Sequence, residues 1–137
     1  MISIEEGLYH KLTNTAAITA IVSSRVYPAP LPQNPTLPAL TYQLITPMSM
    51  TSHQGMGGTA FPRYQITGWA STLAELVALM KQVRICLNGF KGTFGAGGST
   101  VTVQSSLMAG GYDTYEPDTQ RYMRAQDYII YHAEDIT

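Results

Sequence analysis

The stretch from Ser71 to Gly89 limits the possible folds more than any other, because it reads as a complete amphipathic helix with both ends marked. Thr72-Leu73-Ala74-Glu75 has the Thr-x-x-Glu form of a capping box. Leu73, Leu76, Val77, Met80, Val83 and Leu87 recur at helical spacing and form one apolar stripe, which Leu79 and Cys86 widen. Ile85 falls near the opposite, polar side. The helix runs to Asn88, and Gly89 suits the left-handed position that ends helices. A stripe this broad must be covered by a second layer, and no internal repeat or heptad run supplies a helical partner.

Alternating segments supply a sheet instead. Ala39–Thr46 sets Tyr42, Leu44 and Thr46 against Thr41, Gln43 and Ile45, and Tyr64–Ala70 returns beside it. Thr100–Leu107 sets Val101 and Val103 against Thr102 and Gln104. In Arg121–His132, Met123, Ala125, Ile129 and Tyr131 oppose Tyr122, Arg124, Gln126 and Tyr128. The segments Pro47–Ala60, Phe90–Ser99 and Gly110–Gln120 read as loops. At the N-terminus, Ser3-Ile4-Glu5-Glu6 is a capping box that opens a short helix to about Thr13. A second short helix spans Ala16–Val22, capped by Asn14 or Thr15. Arg25-Val26-Tyr27 is extended, since a residue before proline avoids the helical region. Five prolines then fall within the eleven residues Pro28 to Pro38, which favours an extended path. They form either a ligand for a proline-binding module or, the reading adopted, a stiff crossover from helices to sheet. The expected fold is α+β: an antiparallel four-stranded sheet with helices packed on one face, as a single domain over residues 1–137.

Composition narrows the function. Charged residues make up only 12% of the 137, with a formal net charge of −1, about half the roughly 25% of ordinary soluble domains. Nine Tyr, seven Met and twelve Gly stand beside many Thr, Ser and Gln. Disorder is excluded by the apolar content, and a basic nucleic-acid footprint is missing. A lone Cys86 excludes an internal disulfide and a multi-cysteine zinc site. Two acids stand where a signal peptide has a basic start, and no apolar run nears the ~18 residues of a membrane span. A soluble protein of a cytosol is expected, with no membrane partner.

No catalytic constellation emerges. Gly55-Met-Gly57-Gly58-Thr-Ala60 matches a loose dinucleotide pattern, but Phe61-Pro62 and a strand follow where a helix is required to hold pyrophosphate. Gly92–Ser99 lacks the Gly-Lys-Ser/Thr of a phosphate loop. No G-x-S-x-G elbow or H-E-x-x-H helix occurs. His10, His53 and His132 share no ligand spacing, and Asp113, Glu116 and Asp118 do not fit a calcium loop. Cys86 reads as a buried filler. Asp127 sits among Met123, Ala125, Ile129 and Tyr131 by alternation; if buried it needs a partner, and Arg84 on the long helix is a candidate structural mate. Catalytic, cofactor and metal residues are all expected to be absent.

Several segments, taken in order, resemble the tail terminator proteins (tail completion, or tail-to-head joining) of long-tailed phages and prophages. They are the N-terminal helix pair, Arg25-Val26-Tyr27-Pro28, and Leu37-Pro38-Ala39-Leu40-Thr41-Tyr42-Gln43. Gln65-Ile66-Thr67-Gly68-Trp69-Ala70 and its helix follow, ending in Leu87-Asn88-Gly89-Phe90-Lys91-Gly92. Tyr115-Glu116-Pro117-Asp118-Thr119 and Gln126-Asp127-Tyr128-Ile129-Ile130-Tyr131 complete the series. One departure is Gly68, where relatives often carry a polar or acidic residue.

The resemblance implies a non-enzymatic virion protein that assembles into a ring, usually a homohexamer. Its partners would be copies of itself, the major tail-tube protein and the head-completion or connector protein, at the head-proximal end of the tail. DNA would pass through the ring without sequence-specific binding. The other readings are a head-completion or connector (stopper or adaptor) protein and, further off, a small-ligand-binding enzyme. Interface residues are expected on charge-poor loops: Met48, Met50, His53, Gln54 and Met56 first, since Met side chains repack against varied partners, with Phe61 also a candidate. Phe94, Tyr112, Tyr115, Glu116 and Asp118 come second.

Overall fold

A computed structural model describes residues 2–47, 49–52 and 55–133. Helix α1 (Ile4–Thr13) starts at Ser3, whose Oγ accepts the Glu6 N–H at 3.1 Å. Helix α2 (Ala16–Val22) follows at once. Neither expected residue caps it through its side chain: Thr15 Oγ1 donates to the Lys11 carbonyl (2.6 Å) and Asn14 Nδ2 to that of His10 (2.9 Å). Both side chains thus close the end of α1 and satisfy its last carbonyls. Helix α3 (Leu73–Leu87) is capped by Thr72, which accepts the Glu75 N–H at 3.2 Å, and Gly89 takes the left-handed conformation after it (φ 80°). Its buried stripe is Leu76, Leu79, Met80, Val83, Cys86 and Leu87. Leu73 and Val77, expected inside, are exposed, as is Ile85.

The sheet differs from the one expected. Among the described residues, eight strands form one mixed, curled sheet: β1 (Val26–Pro28), β2 (Ala39–Thr46), β3 (Ser49–Ser52), β4 (Gly55–Ala60), β5 (Arg63–Ala70), β6 (Phe90–Ala96), β7 (Ser99–Glu116) and β8 (Arg121–Ala133). The expected α+β fold, with helices on one face of a four-stranded antiparallel sheet, is corrected to a mostly β one (49% strand, 26% helix), and the sheet itself on two counts. Strand β1 runs parallel to β2, joined to it by the proline-rich crossover. The three segments read as loops are largely strand: β3 and β4, then β6, then the outer half of β7. Their glycines and small polar residues gave no alternation, yet ladder hydrogen bonds need none. Strands β4 and β5 lie end to end along one edge of β8, with Pro62 between them, while β7 occupies the other edge.

On β8 alternation turns the even-numbered residues of its second half toward α3, while Ala125 on the other face is buried as well. Gln126, Tyr128, Ile130 and His132 point into the core, and Met123, Asp127, Ile129 and Tyr131 lie on the opposite face, half-buried. The polar groups inside are paired: Tyr128 donates to Gln126 Oε1 at 2.6 Å, and Gln126 Nε2 to the Met80 carbonyl at 3.4 Å. Together, these bonds let a Tyr/Gln face sit under α3.

Core packing joins all three helices to the sheet. Leu8, Leu12, Ile18, Val22, Leu40, Tyr64, Ile66, Leu79, Phe94, Val103, Tyr128 and Ile130 form one buried cluster with the α3 stripe. Gly7 lets α1 approach β6 and β7 closely: a Cβ there would stand 2.6 Å from Val101 Cγ1 and 2.9 Å from Phe94 Cβ.

Candidate assembly surface

The face of the sheet away from α3 is built by odd-numbered residues of β5 and β8 and their neighbours on β2. Register places Gln43 beside Gln65 beside Asp127, and Thr41 beside Thr67 beside Ala125. Asp127 is the hub of this face. Its carboxylate accepts Arg63 Nε at 2.9 Å and Gln65 Nε2 at 3.1 Å, with Arg63 Nη2 at 2.8 Å. This corrects the Arg84 pairing: Asp127 faces away from α3, so a helix residue cannot reach it, and Arg63 comes from the adjacent strand. Trp69 Nε1 donates to Thr41 Oγ1 at 3.1 Å, and the Arg121 guanidinium lies 5.8 Å from the Trp69 ring centroid. A groove of about 380 Å³ runs over this floor, between Pro30 and Leu31 on one side and Tyr112 and Glu116 on the other.

Above the groove, β7 and β8 extend as a ribbon to the turn at Pro117–Gln120. Arg124 donates from Nε and Nη2 to the two oxygens of Asp113 at 2.8 and 3.0 Å. These hydrogen bonds hold the Asp113 carboxyl below its usual range and push the Arg124 guanidinium up. Tyr115 packs on Tyr122 with ring centroids 4.7 Å apart. Of the expected interface residues, Tyr112 and Tyr115 are exposed on this ribbon, Asp118 is exposed at its turn, and Glu116 is half-buried 3.8 Å from Arg121. Phe61 stacks on Tyr131 (5.5 Å, 17°) between β4 and β5. Phe94 is withdrawn from the surface altogether: its strand turns it under α1, where it is fully buried, so no partner can touch it in the folded chain. Met50 and Met56 lie on β3 and β4, whereas Met48, His53 and Gln54 lie outside the described residues.

Sequence reasoning missed several surface apolar residues. Leu44 and Ile45 at the end of β2, Leu107 on β7, and Leu73 and Val77 along the outside of α3 are all exposed, whereas Ile85, set on the polar side by the helical period, is exposed as expected. A second run of apolar positions on the α3 helix, out of phase with the first, was the available signal.

A larger cleft of about 670 Å³ borders α1, lined by Glu5, Glu6, Tyr9, His10 and Tyr42 among others. Tyr64 donates to Glu5 Oε1 at 2.6 Å. Burial raises the Glu5 carboxyl, but hydrogen bonds from Tyr64, its own backbone and Ser3 outweigh this and leave it below the ordinary value. Burial, with the Glu5 bond, drives the Tyr64 hydroxyl far above its own. The pair is therefore an ionised acceptor and a neutral donor near pH 7, a fixed hydrogen bond with no proton to exchange. Burial likewise raises the Cys86 thiol, which sits 3.4 Å from Thr15 Oγ1, so the reactive thiolate is disfavoured. Among the described residues, no three His, Cys, Asp or Glu side chains converge as a metal site would require.

Residues 6–133 match the model of the family described as tail completion protein gp17. The chain belongs to this family. It is a structural phage tail protein, a component of virion assembly. A chain from a structure described as the virion of a native gene transfer agent (GTA) particle has a similar fold, with a TM-score of 0.71. That likeness covers 96% of this chain and 93% of the other at 16% identity, which shows a shared fold. No curated protein matches the tail completion chain.

Proposed function

We propose that this tail completion protein is a ring-forming terminator: a homohexamer that docks on the last ring of the tail tube, stops its growth and joins it to the head connector. The observation that carries the reading is the match over residues 6–133. The composition of the exposed surface supports it. Tyr9, Leu44, Ile45, Leu73, Val77, Ile85, Leu107, Tyr112 and Tyr115 are large apolar side chains left exposed in a chain only 12% charged. Interface cores are depleted in charge and enriched in Tyr and Met, so neighbours in an assembly would cover this surface.

Growth stops because the docked ring covers the face on which the next tube ring would add, without offering an identical new face. A slight negative charge keeps a DNA-conducting lumen from gripping phosphate, since such grip is built from Lys and Arg. The protein would act at the head-proximal end of the tail as a binding module and not as a catalyst.

Purified protein added to tail tubes is expected to appear by negative-stain electron microscopy as rings capping the tube ends, and to crosslink to the tube subunit. Crosslinking to the portal alone, with tube ends bare, would assign it instead to the head connector.

A further inference from the structure

We propose that neighbouring copies of this chain join by β-strand addition, the outer edge of β2 in one copy pairing with the outer edge of β7 in the next. The inference rests on the ring reading and names the joint that would build the ring. The sheet ends in two rows that are only partly covered. On one side, β1 pairs with β2 only through Tyr42, leaving the outer edge of Gln43–Thr46 without a strand partner among the described residues. On the other, β6 pairs with β7 only through Ser106, and the Met108 N–H is taken by Asn88 Oδ1 at 3.0 Å. From Ala109 to Glu116 the outer edge of β7 has no strand partner among the described residues.

Both edges are open to pairing. Gln43–Pro47 are all exposed, and Ala109–Tyr115 are exposed but for Gly110, which is partly so. Proteins commonly guard such edges with charge, yet Gln43–Pro47 contains no charged residue, and within Ala109–Glu116 the two acids, Asp113 and Glu116, both stand beside an arginine of β8. Each edge is instead flanked by exposed apolar side chains: Leu44 (39%) and Ile45 (43%) on one, Leu107 (52%) and Tyr112 (55%) on the other. Main-chain hydrogen bonds would supply affinity, and these side chains would pack across the joint.

Strand direction favours the same joint. The pairs β2–β5, β5–β8 and β8–β7 are each antiparallel, so β2 and β7 run in opposite directions. A second copy set beside the first, with its strands pointing the same way, therefore meets it as an antiparallel pair. Because the two edges differ, the contact is heterologous: it uses one edge per neighbour, repeats indefinitely, and closes into a ring when the rotation permits. A two-fold joint would use a single edge twice and stop at a dimer.

The test is disulfide trapping at protein concentrations where rings are seen by electron microscopy. Four double variants combine Leu44→Cys or Ile45→Cys with Ala109→Cys or Tyr112→Cys, which samples both faces and a shift in register. Under oxidation at least one pair is expected to give a ladder reaching the full ring on non-reducing gels, while each single variant stays monomeric. A single variant that forms disulfide dimers would overturn the proposal, because it would show a two-fold contact. Rings visible by microscopy with no ladder from any pair would also overturn it, leaving the terminator reading intact. A ladder from protein that fails to cap tubes would do the reverse. Ile45→Lys provides a check that needs no disulfide: circular dichroism should be unchanged and ring formation reduced at least tenfold, and unchanged ring formation would count against the joint.

Discussion

A valine at position 68 is expected to strip much of the protein's stability. Gly68 sits on β5 directly beneath α3, where a Cβ would overlap Met80 Sδ and approach Leu76 Cδ1 to 3.3 Å. Met80 and Leu76 are themselves buried, so they have no free space to enter. Overpacking of this kind costs about 1–3 kcal/mol or more, from a total of about 5–15 kcal/mol for a domain. The melting temperature should fall by roughly 4–15 °C. Combining Gly68→Val with Met80→Ala separates packing from backbone effects. Met80→Ala alone leaves a cavity and costs about 2–5 kcal/mol, yet the double variant should lose distinctly less than the two singles summed, because each compensates the other. Strict additivity would show that the two residues do not share one volume. The likeness to tail terminators marked Gly68 as a departure, and the structure supplies its reason: here Met80 occupies the space that a side chain at 68 would fill.

The second large effect is a loss of stability in alkali. Burial holds the Tyr64 and Tyr128 hydroxyls far above the ordinary tyrosine value of 10, and the Glu5 hydrogen bond adds to this at Tyr64. In the unfolded chain both ionise near pH 10, whereas in the folded protein both stay neutral. Their contribution is fully present below pH 10 and is lost as pH rises from there through the folded-state values. Each tyrosine steepens the fall by about 1.4 kcal/mol per pH unit, and the two together by about 2.7 kcal/mol. Urea melts at pH 9, 10.5 and 11.5 measure the slope, and Tyr64→Phe or Tyr128→Phe should each remove about half of it. Tyr128→Phe also leaves Gln126 Oε1 buried without its donor, at a cost of about 1–3 kcal/mol at neutral pH. If all nine tyrosines titrate near pH 10 with the fold intact, the two hydroxyls are not buried as described. Glu5 and Asp113, whose carboxyls are lowered, act oppositely: their contribution exists above the unfolded value and disappears as pH falls. Both are largely solvent-exposed, so the acid effect should be small.

The helices were legible because each carries its own signal. Ser3 and Thr72 cap where their Ser/Thr-x-x-Glu patterns place them, and the apolar period of α3 exceeds what chance supplies. Strand β2 emerged with the expected bounds, Ala39–Thr46. What failed was whatever depends on a neighbour. The burial phase of β8 could not be read from its own residues, because both faces mix aliphatic and polar side chains. Gln126 and Tyr128 are buried only because each satisfies the other and Met80 accepts the remaining N–H. The Asp127 pairing failed for the same reason, since Arg63 comes into reach only through the β5–β8 register. Phe94 was misjudged because Gly92, Gly95 and Gly97 made its surroundings look like a loop, when β6 is a strand with α1 on top of it. Tyr112 and Tyr115 are exposed, on a strand ribbon that the sequence presents as a turn-rich loop.

The measurement that tests the terminator reading most directly is the length of tails assembled without this protein. Phage lacking the gene should yield tails with a broad, overlong length distribution that fail to join heads, and supplying the protein in trans should restore one length and infectious particles. Tails of normal, uniform length that still attach to heads in its absence would contradict the reading.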